Sequence, residues 1–137
     1  MKIETPSKNY HATNHYVYSC QYHVIFCPKY RRSVLVGDIE KRLRVLIFEK
    51  QQAFSYKVLD LEIMSDHVHL LLDVNPKTGI YTIVNKIKGY TSRELRKEFR
   101  SLRSRLPTLW TRSKFISSVG TVTLEVVKKY IEEQKGV

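Results

Sequence analysis

From Val17 to Cys27 the even positions Tyr18, Cys20, Tyr22, Val24 and Phe26 form one apolar row. A period of two with aromatic and β-branched side chains predicts a strand with one face on a core. Pro28 and the run Lys29-Tyr30-Arg31-Arg32 end it in a basic turn. Ile39, Leu43, Leu46 and Ile47, with Phe54 beyond, recur at helical spacing, and Gly37-Asp38 supplies an N-cap. Leu59, Leu61 and Ile63 alternate with Asp60 and Glu62, a second strand, and Ser65-Asp66 reads as a tight turn. His67 to Val74 forms a third strand, with Val68, Leu70, Leu72 and Val74 on one face. After the breaker Asn75-Pro76-Lys77-Thr78-Gly79, a second helix starts at Ile80, Ile83, Val84 and Ile87. It continues past Gly89 through Leu95, Phe99 and Leu102, until Pro107 ends the region. Phe115, Ser117 and Val119 suggest a short fourth strand closed by Gly120, and Thr123 can cap a terminal helix.

The order β-α-β-β-α-β plus a last helix predicts an α+β protein of the ferredoxin-like (RRM-like) type. One antiparallel sheet would carry two helices on one face. No repeat, low-complexity tract or linker divides the chain, so residues 1–137 read as one domain, with residues 1–15 as a polar arm.

Composition narrows the function. With 24 Lys+Arg against 13 Asp+Glu among 137 residues, the formal charge is +11, while 42% hydrophobic content argues against wholesale disorder. Such an excess favours a polyanionic partner, nucleic acid before an anionic membrane. No apolar run approaches the roughly 20 residues of a spanning helix, and the first residues lack the apolar segment of a signal peptide. Cys20 and Cys27 fall on opposite faces of one predicted strand, roughly 23 Å apart, too far to bridge. A reduced, cytoplasmic protein is the expectation. The charge is also uneven: Lys86 to Lys114 holds ten Lys/Arg against Glu94 and Glu98, a local +8, and Lys29, Arg31 and Arg32 form a second cluster. Lys86, Lys88, Arg93, Arg96 and Arg112, with Lys29, Arg31 and Arg32, are the candidates for phosphate contacts.

The segment Asp66-His67-Val68-His69 carries the first candidate chemistry. Strand residues i and i+2 share a face, so two imidazoles would project together about 6.6 Å apart, able to converge on one ion. The bland alternative is two surface histidines on an amphipathic strand. Two histidines are an incomplete shell, and Asp73, Glu62 and His23 are sheet residues that could add a third ligand. In the terminal helix, Leu124, Val127 and Ile131 make an apolar stripe with Tyr130 and Gln134 one turn apart at its margin. If that helix crosses the open sheet face, a phenol and an amide point toward the histidines; otherwise Tyr130 is a packing residue. No Gly-rich phosphate loop, Cys-x-x-Cys pair or RNP-type aromatic motif is present.

Four blocks in order carry a resemblance: Tyr22-His23-Val24-Ile25-Phe26-Cys27-Pro28-Lys29-Tyr30-Arg31-Arg32, Asp66-His67-Val68-His69-Leu70-Leu71, Leu109-Trp110-Thr111-Arg112-Ser113-Lys114-Phe115 and Val127-Lys128-Lys129-Tyr130-Ile131-Glu132-Glu133-Gln134. With their spacing they cover almost all of the chain beyond the arm, and it resembles the single-tyrosine HUH transposases of the insertion-sequence-200/605 group. That resemblance implies that Tyr130 is the catalytic nucleophile, that His67, His69 and Gln134 bind a divalent metal, Mg²⁺ or Mn²⁺, and that the terminal helix carries the tyrosine. It further implies a homodimer in which the tyrosine helix can complete the site of the other subunit, recognition of DNA hairpins at element ends, and cleavage of single-stranded DNA. Two alternatives remain: a housekeeping relative acting on repeated extragenic palindromes, and a ferredoxin-like nucleic-acid-binding module without catalysis.

Overall fold

The computed structural model describes residues 11–12, 17–18, 20–119 and 124–136, without the side chains of 11, 12, 17 and 124–127. Its elements are β1 (His11–Ala12), β2 (Val17–Tyr18), β3 (Gln21–Phe26), α1 (Gly37–Glu49), α2 (Gln51–Phe54), β4 (Tyr56–Met64), β5 (His67–Val74), α3 (Ile80–Glu98), α4 (Arg100–Arg105), β6 (Phe115–Ser118) and α5 (Leu124–Glu133). β4, β5, β3 and β6 form one antiparallel sheet in that order. The ferredoxin-like arrangement expected from the periodicities is therefore the one adopted.

The core lies between one sheet face and the helices. Val24 and Phe26 of β3 meet Val68, Leu70 and Leu72 of β5, under Leu43, Leu46 and Ile47 of α1 and Ile83, Val84 and Ile87 of α3. Each such side chain removed from water contributes ~1.5–3 kcal/mol before entropy is counted, so the two amphipathic helices are held chiefly by this contact.

Several boundaries differ from the expectation. The predicted Val17–Cys27 strand is two pieces: Val17–Tyr18 pairs with His11–Ala12 in a separate ribbon, and only Gln21–Phe26 joins the main sheet. So residues 11–12 of the predicted arm form a strand, while the rest of 1–15 lies outside the described residues. Helix α1 begins at Gly37 itself, whose φ of +58° suits glycine, and Val36 precedes it without a side-chain cap. Asp38 sits in the first turn, where its charge favours the helix dipole, and does not cap. The long second helix breaks at Phe99, whose backbone is extended, and Leu102 belongs to α4. Val119 falls just past the end of β6. Gly120, Thr123 and the side chains of Leu124 and Val127 lie outside the described residues.

In β4 the register shifts between Val58 and Asp60. This bulge switches parity: Tyr56 and Val58 reach the core before it, Leu61 and Ile63 after it, and Leu59 is left out of the core. Asp60 and Glu62 consequently share the sheet face of β5 residues Leu71 and His69, their strand partners. That face is the one α1 and α3 leave open, and α5 covers part of it: Ile131 packs on Ile25, with Phe115 and Tyr130 beside them.

Candidate active site

The turn at Ser65-Asp66 places a carboxylate next to the first histidine. Asp66 Oδ1 lies 2.8 Å from His67 Nδ1, and its Oδ2 lies 3.0 Å from Arg31 Nε. With Nδ1–H donated to Asp66, the lone pair of His67 is on Nε2, and that nitrogen is buried without a hydrogen-bond partner among the described residues. An unsatisfied buried imidazole nitrogen costs on the order of 1–3 kcal/mol, and a carboxylate behind the opposite nitrogen is the usual support of a metal-binding histidine. His67 therefore fits a divalent ion.

His69 is deeper still, 3% exposed. Its Nε2 lies 3.2 Å from His23 Nδ1, and the two rings stack with centroids 5.4 Å apart. Burial, with His23 and His67 nearby, pushes the His69 pKa down to about 4, and burial also lowers that of His23. Both imidazoles are thus held as neutral bases. Among the described residues no three of His, Cys, Asp and Glu gather in a way that could hold a metal ion. Of the sheet residues His23, Glu62 and Asp73, His23 stands against the dyad, stacked on His69.

The tyrosine and the glutamine of α5 meet on a residue that periodicity did not single out. Ser113 Oγ donates to Gln134 Oε1 at 2.5 Å and lies 3.3 Å from the Tyr130 hydroxyl. Gln134 is buried, and Tyr130 is half-buried against the ring of Phe115, 5.3 Å between centroids. Burial pushes the Tyr130 phenol up to about 12. The only sequence trace of Ser113 was its place inside the Leu109–Phe115 block, because a loop residue has no period to betray it.

The two halves of the site are joined through Arg31. It follows Pro28 in a tight turn where Tyr30 and Arg31 both take positive φ, 59° and 50°, a costly conformation for non-glycine residues. The turn directs the guanidinium inward: Nη1 donates to Ile131 O at 2.9 Å while Nε holds Asp66. Below it, Ile131 packs on Ile25, whose strand partner is His69. Helix α5 is thus docked on the sheet of the same chain, and the described hydrogen bonds of the phenol and the amide run to Ser113, not to the imidazoles.

The basic candidates divide. Arg31 is committed inward, as above. Lys88 is buried on α3, its Nζ donating to Thr111 O at 2.7 Å with Arg112 O and Ser113 O at 3.4 and 3.3 Å; burial lowers its pKa to about 8. Arg93, Arg96 and Arg112, with Lys88, line a groove of about 740 Å³ together with Lys97, Arg103 and Trp110; its wall holds six Lys and Arg and no carboxylate. Lys97 and Arg103 belong to the same basic segment, and net charge alone does not say which of its side chains converge. Lys29, Arg32 and Lys86 lie away from this groove.

A family model described as "Transposase IS200 like" matches residues 16–134. The ISDra2 transposase TnpA of Deinococcus radiodurans is 36% identical over 121 residues, which span 87% of this chain and 86% of that protein. The transposase for insertion sequence element IS200 of Salmonella typhimurium is 28% identical over 126 residues, 88% and 83% of the two chains. Among solved structures, a putative transposase from Deinococcus radiodurans R1 superposes with a TM-score of 0.86 at 30% identity, over 93% of this chain and 99% of the other. A REP-associated tyrosine transposase bound to a REP hairpin gives 0.52 at 12% identity, over 96% and 69%, a likeness of fold alone. No helix among the described residues is long and apolar enough to cross a membrane.

Proposed function

The chain belongs to the IS200-like transposase family, DNA-binding enzymes of transposition, and we propose that it cuts and rejoins single-stranded DNA through a covalent bond to Tyr130. The observation that carries this reading is the Nε2 of His67, buried without a partner among the described residues and backed by Asp66, on the sheet face where α5 brings Tyr130.

Tyr130 Oη attacks the scissile phosphorus, the P–O3′ bond breaks, and a 5′-phosphotyrosine and a free 3′-OH result. The departing 3′ oxygen takes up a proton and the phenol gives one up. Because the phosphodiester energy is kept in the tyrosine ester, a 3′-OH can attack it in turn and join strands without ATP. With its pKa near 12 the phenol stays protonated at neutral pH until the scissile phosphate is in place. His67, His69 and Gln134 would hold a divalent ion, Mg²⁺ or Mn²⁺, which supplies Lewis-acid polarisation of the phosphate and neutralises developing charge. The chain contributes two imidazoles, of which burial disfavours the protonated form of His69, and an amide oxygen, a donor set that leans toward Mn²⁺.

The groove of Arg93, Arg96, Lys97, Arg103 and Arg112 is read as a phosphate-backbone surface, suited to the hairpin stems of element ends, with Lys29, Arg32 and Lys86 as further contacts. A homodimer, with α5 completing either its own or the partner's site, belongs to the same reading, and a solution mass of one chain would count against it. The 36% identity to an insertion-sequence transposase favours element mobility over a role at extragenic palindromes.

The test is direct. Labelled single-stranded DNA from the flanking element end, mixed with protein and Mg²⁺ or Mn²⁺, yields an adduct that survives a denaturing gel. Tyr130→Phe abolishes it, and His67→Ala loses cleavage while keeping hairpin binding. An adduct that persists in Tyr130→Phe overturns the assignment.

A further inference from the structure

We propose that Ser113 is a positioning residue for the reaction, aligning the Tyr130 hydroxyl and the Gln134 amide oxygen through one shared hydroxyl group. The inference rests on the reading above, in which Tyr130 is the nucleophile and Gln134 a metal ligand.

The geometry fixes the direction of the two bonds. A serine hydroxyl has one proton and two lone pairs, while an amide oxygen can only accept. The bond to Gln134 Oε1 at 2.5 Å therefore uses the proton of Ser113. In the 3.3 Å contact the phenol must then be the donor, so a directed chain runs from Tyr130 O–H to Ser113 Oγ and from Ser113 O–H to Gln134 Oε1. Two consequences follow. The amide oxygen is pinned by one lone pair and keeps its second for an ion. The phenol proton is turned toward Ser113, so the oxygen's lone pairs are left for the phosphorus. One hydroxyl thus sets the orientation of two flexible side chains that lie a helical turn apart.

Ser113 can do this only if its own backbone is held, and three independent ties hold it. The Lys88 ammonium has three donors and meets the three consecutive carbonyls of Thr111, Arg112 and Ser113. Thr111 N donates to Cys27 O at 2.9 Å, at the exit of β3. The Trp110 indole donates to Thr91 Oγ1 at 3.0 Å, within α3. Ser113 is thereby referenced to the sheet that carries the histidines and to α3. A loop whose only task was to connect α4 with β6 would have no need of a buried lysine.

The experiment compares Ser113→Ala and Ser113→Thr with wild type and Gln134→Ala. Three quantities are read: kcat and KM for adduct formation on single-stranded DNA, Mn²⁺ affinity by electron paramagnetic resonance without DNA, and the thermal midpoint. Ser113→Ala lowers kcat and Mn²⁺ affinity each by about 10–100-fold, the range for residues that orient metal ligands, with KM and the midpoint near wild type. Ser113→Thr, which keeps the hydroxyl, recovers much of both. The inference is overturned if Ser113→Ala matches wild type in kcat and Mn²⁺ affinity. It is equally overturned if the alanine variant's loss comes with a lowered midpoint and a matching rise in KM, the pattern of a merely structural residue. Wild type that forms no Tyr130 adduct, or Gln134→Ala with undiminished Mn²⁺ affinity, refutes the underlying reading instead.

Discussion

Arg31 and Asp66 meet at 3.0 Å between Nε and Oδ2, and Asp66 passes that contact on to His67 through its other oxygen, 2.8 Å from Nδ1. The same guanidinium holds the Ile131 carbonyl of α5. One side chain therefore orients the imidazole of the sheet and docks the helix that carries Tyr130.

Removing the carboxylate separates those roles. Asp66→Ala leaves His67 free to rotate and to adopt either tautomer, and Mn²⁺ affinity falls about 10–100-fold, the usual effect of losing a metal ligand's hydrogen-bond partner. Arg31→Ala releases α5 as well, so adduct formation falls further than metal affinity does. Calorimetric titration of Mn²⁺ alongside gel quantification of the adduct separates the two; equal losses in both variants would refute the division of labour.

Most of this site was legible where a period exists. His67 and His69 share a face because strands alternate, and Tyr130 and Gln134 share a margin because helices return after four residues. What periodicity could not show is where irregular backbone goes. Leu59 continues the alternation of Leu61 and Ile63 in the sequence, yet the bulge removes it from the core, since one inserted residue changes no composition. Ser113 and Arg31 sit in a loop and a left-handed turn, and their partners are more than fifteen residues away in the chain. In the sequence Lys88 reads as a phosphate contact, but the three carbonyls that surround its ammonium exist only once the loop after Trp110 is folded.

The buried histidines give the fold a defined acid limit. His69 titrates near 6.5 when unfolded and at about 4 in the native protein, so between those values the unfolded chain binds the additional proton. The associated stability is fully present above pH 6.5 and is lost as pH falls toward 4; the lowered pKa of His23 acts in the same direction. Denaturant midpoints measured from pH 7.5 to 4 should decline through this window. In the double variant His23→Gln/His69→Gln the decline is shallower, and an unchanged slope would show that other groups set the acid limit.

Salt dependence tests the basic groove more sharply than affinity does. Each phosphate neutralised on duplex DNA contributes about 0.9 to the slope of log K against log salt, and about 0.7 on a single strand. Arg93 and Arg112 line the groove, and no described hydrogen bond or ion pair ties either guanidinium to a protein acceptor, although Arg93 also lies 5.7 Å from the centre of the Tyr90 ring. Arg93→Ala and Arg112→Ala should each flatten the slope for a hairpin by close to one such increment. Arg31→Ala, whose charge is committed to Asp66, should leave the slope nearly unchanged. Fluorescence anisotropy with a labelled hairpin at several salt concentrations gives all three slopes. If the groove variants keep the wild-type slope while Arg31→Ala loses one increment, the phosphates lie along the Pro28–Arg32 turn and not along α3.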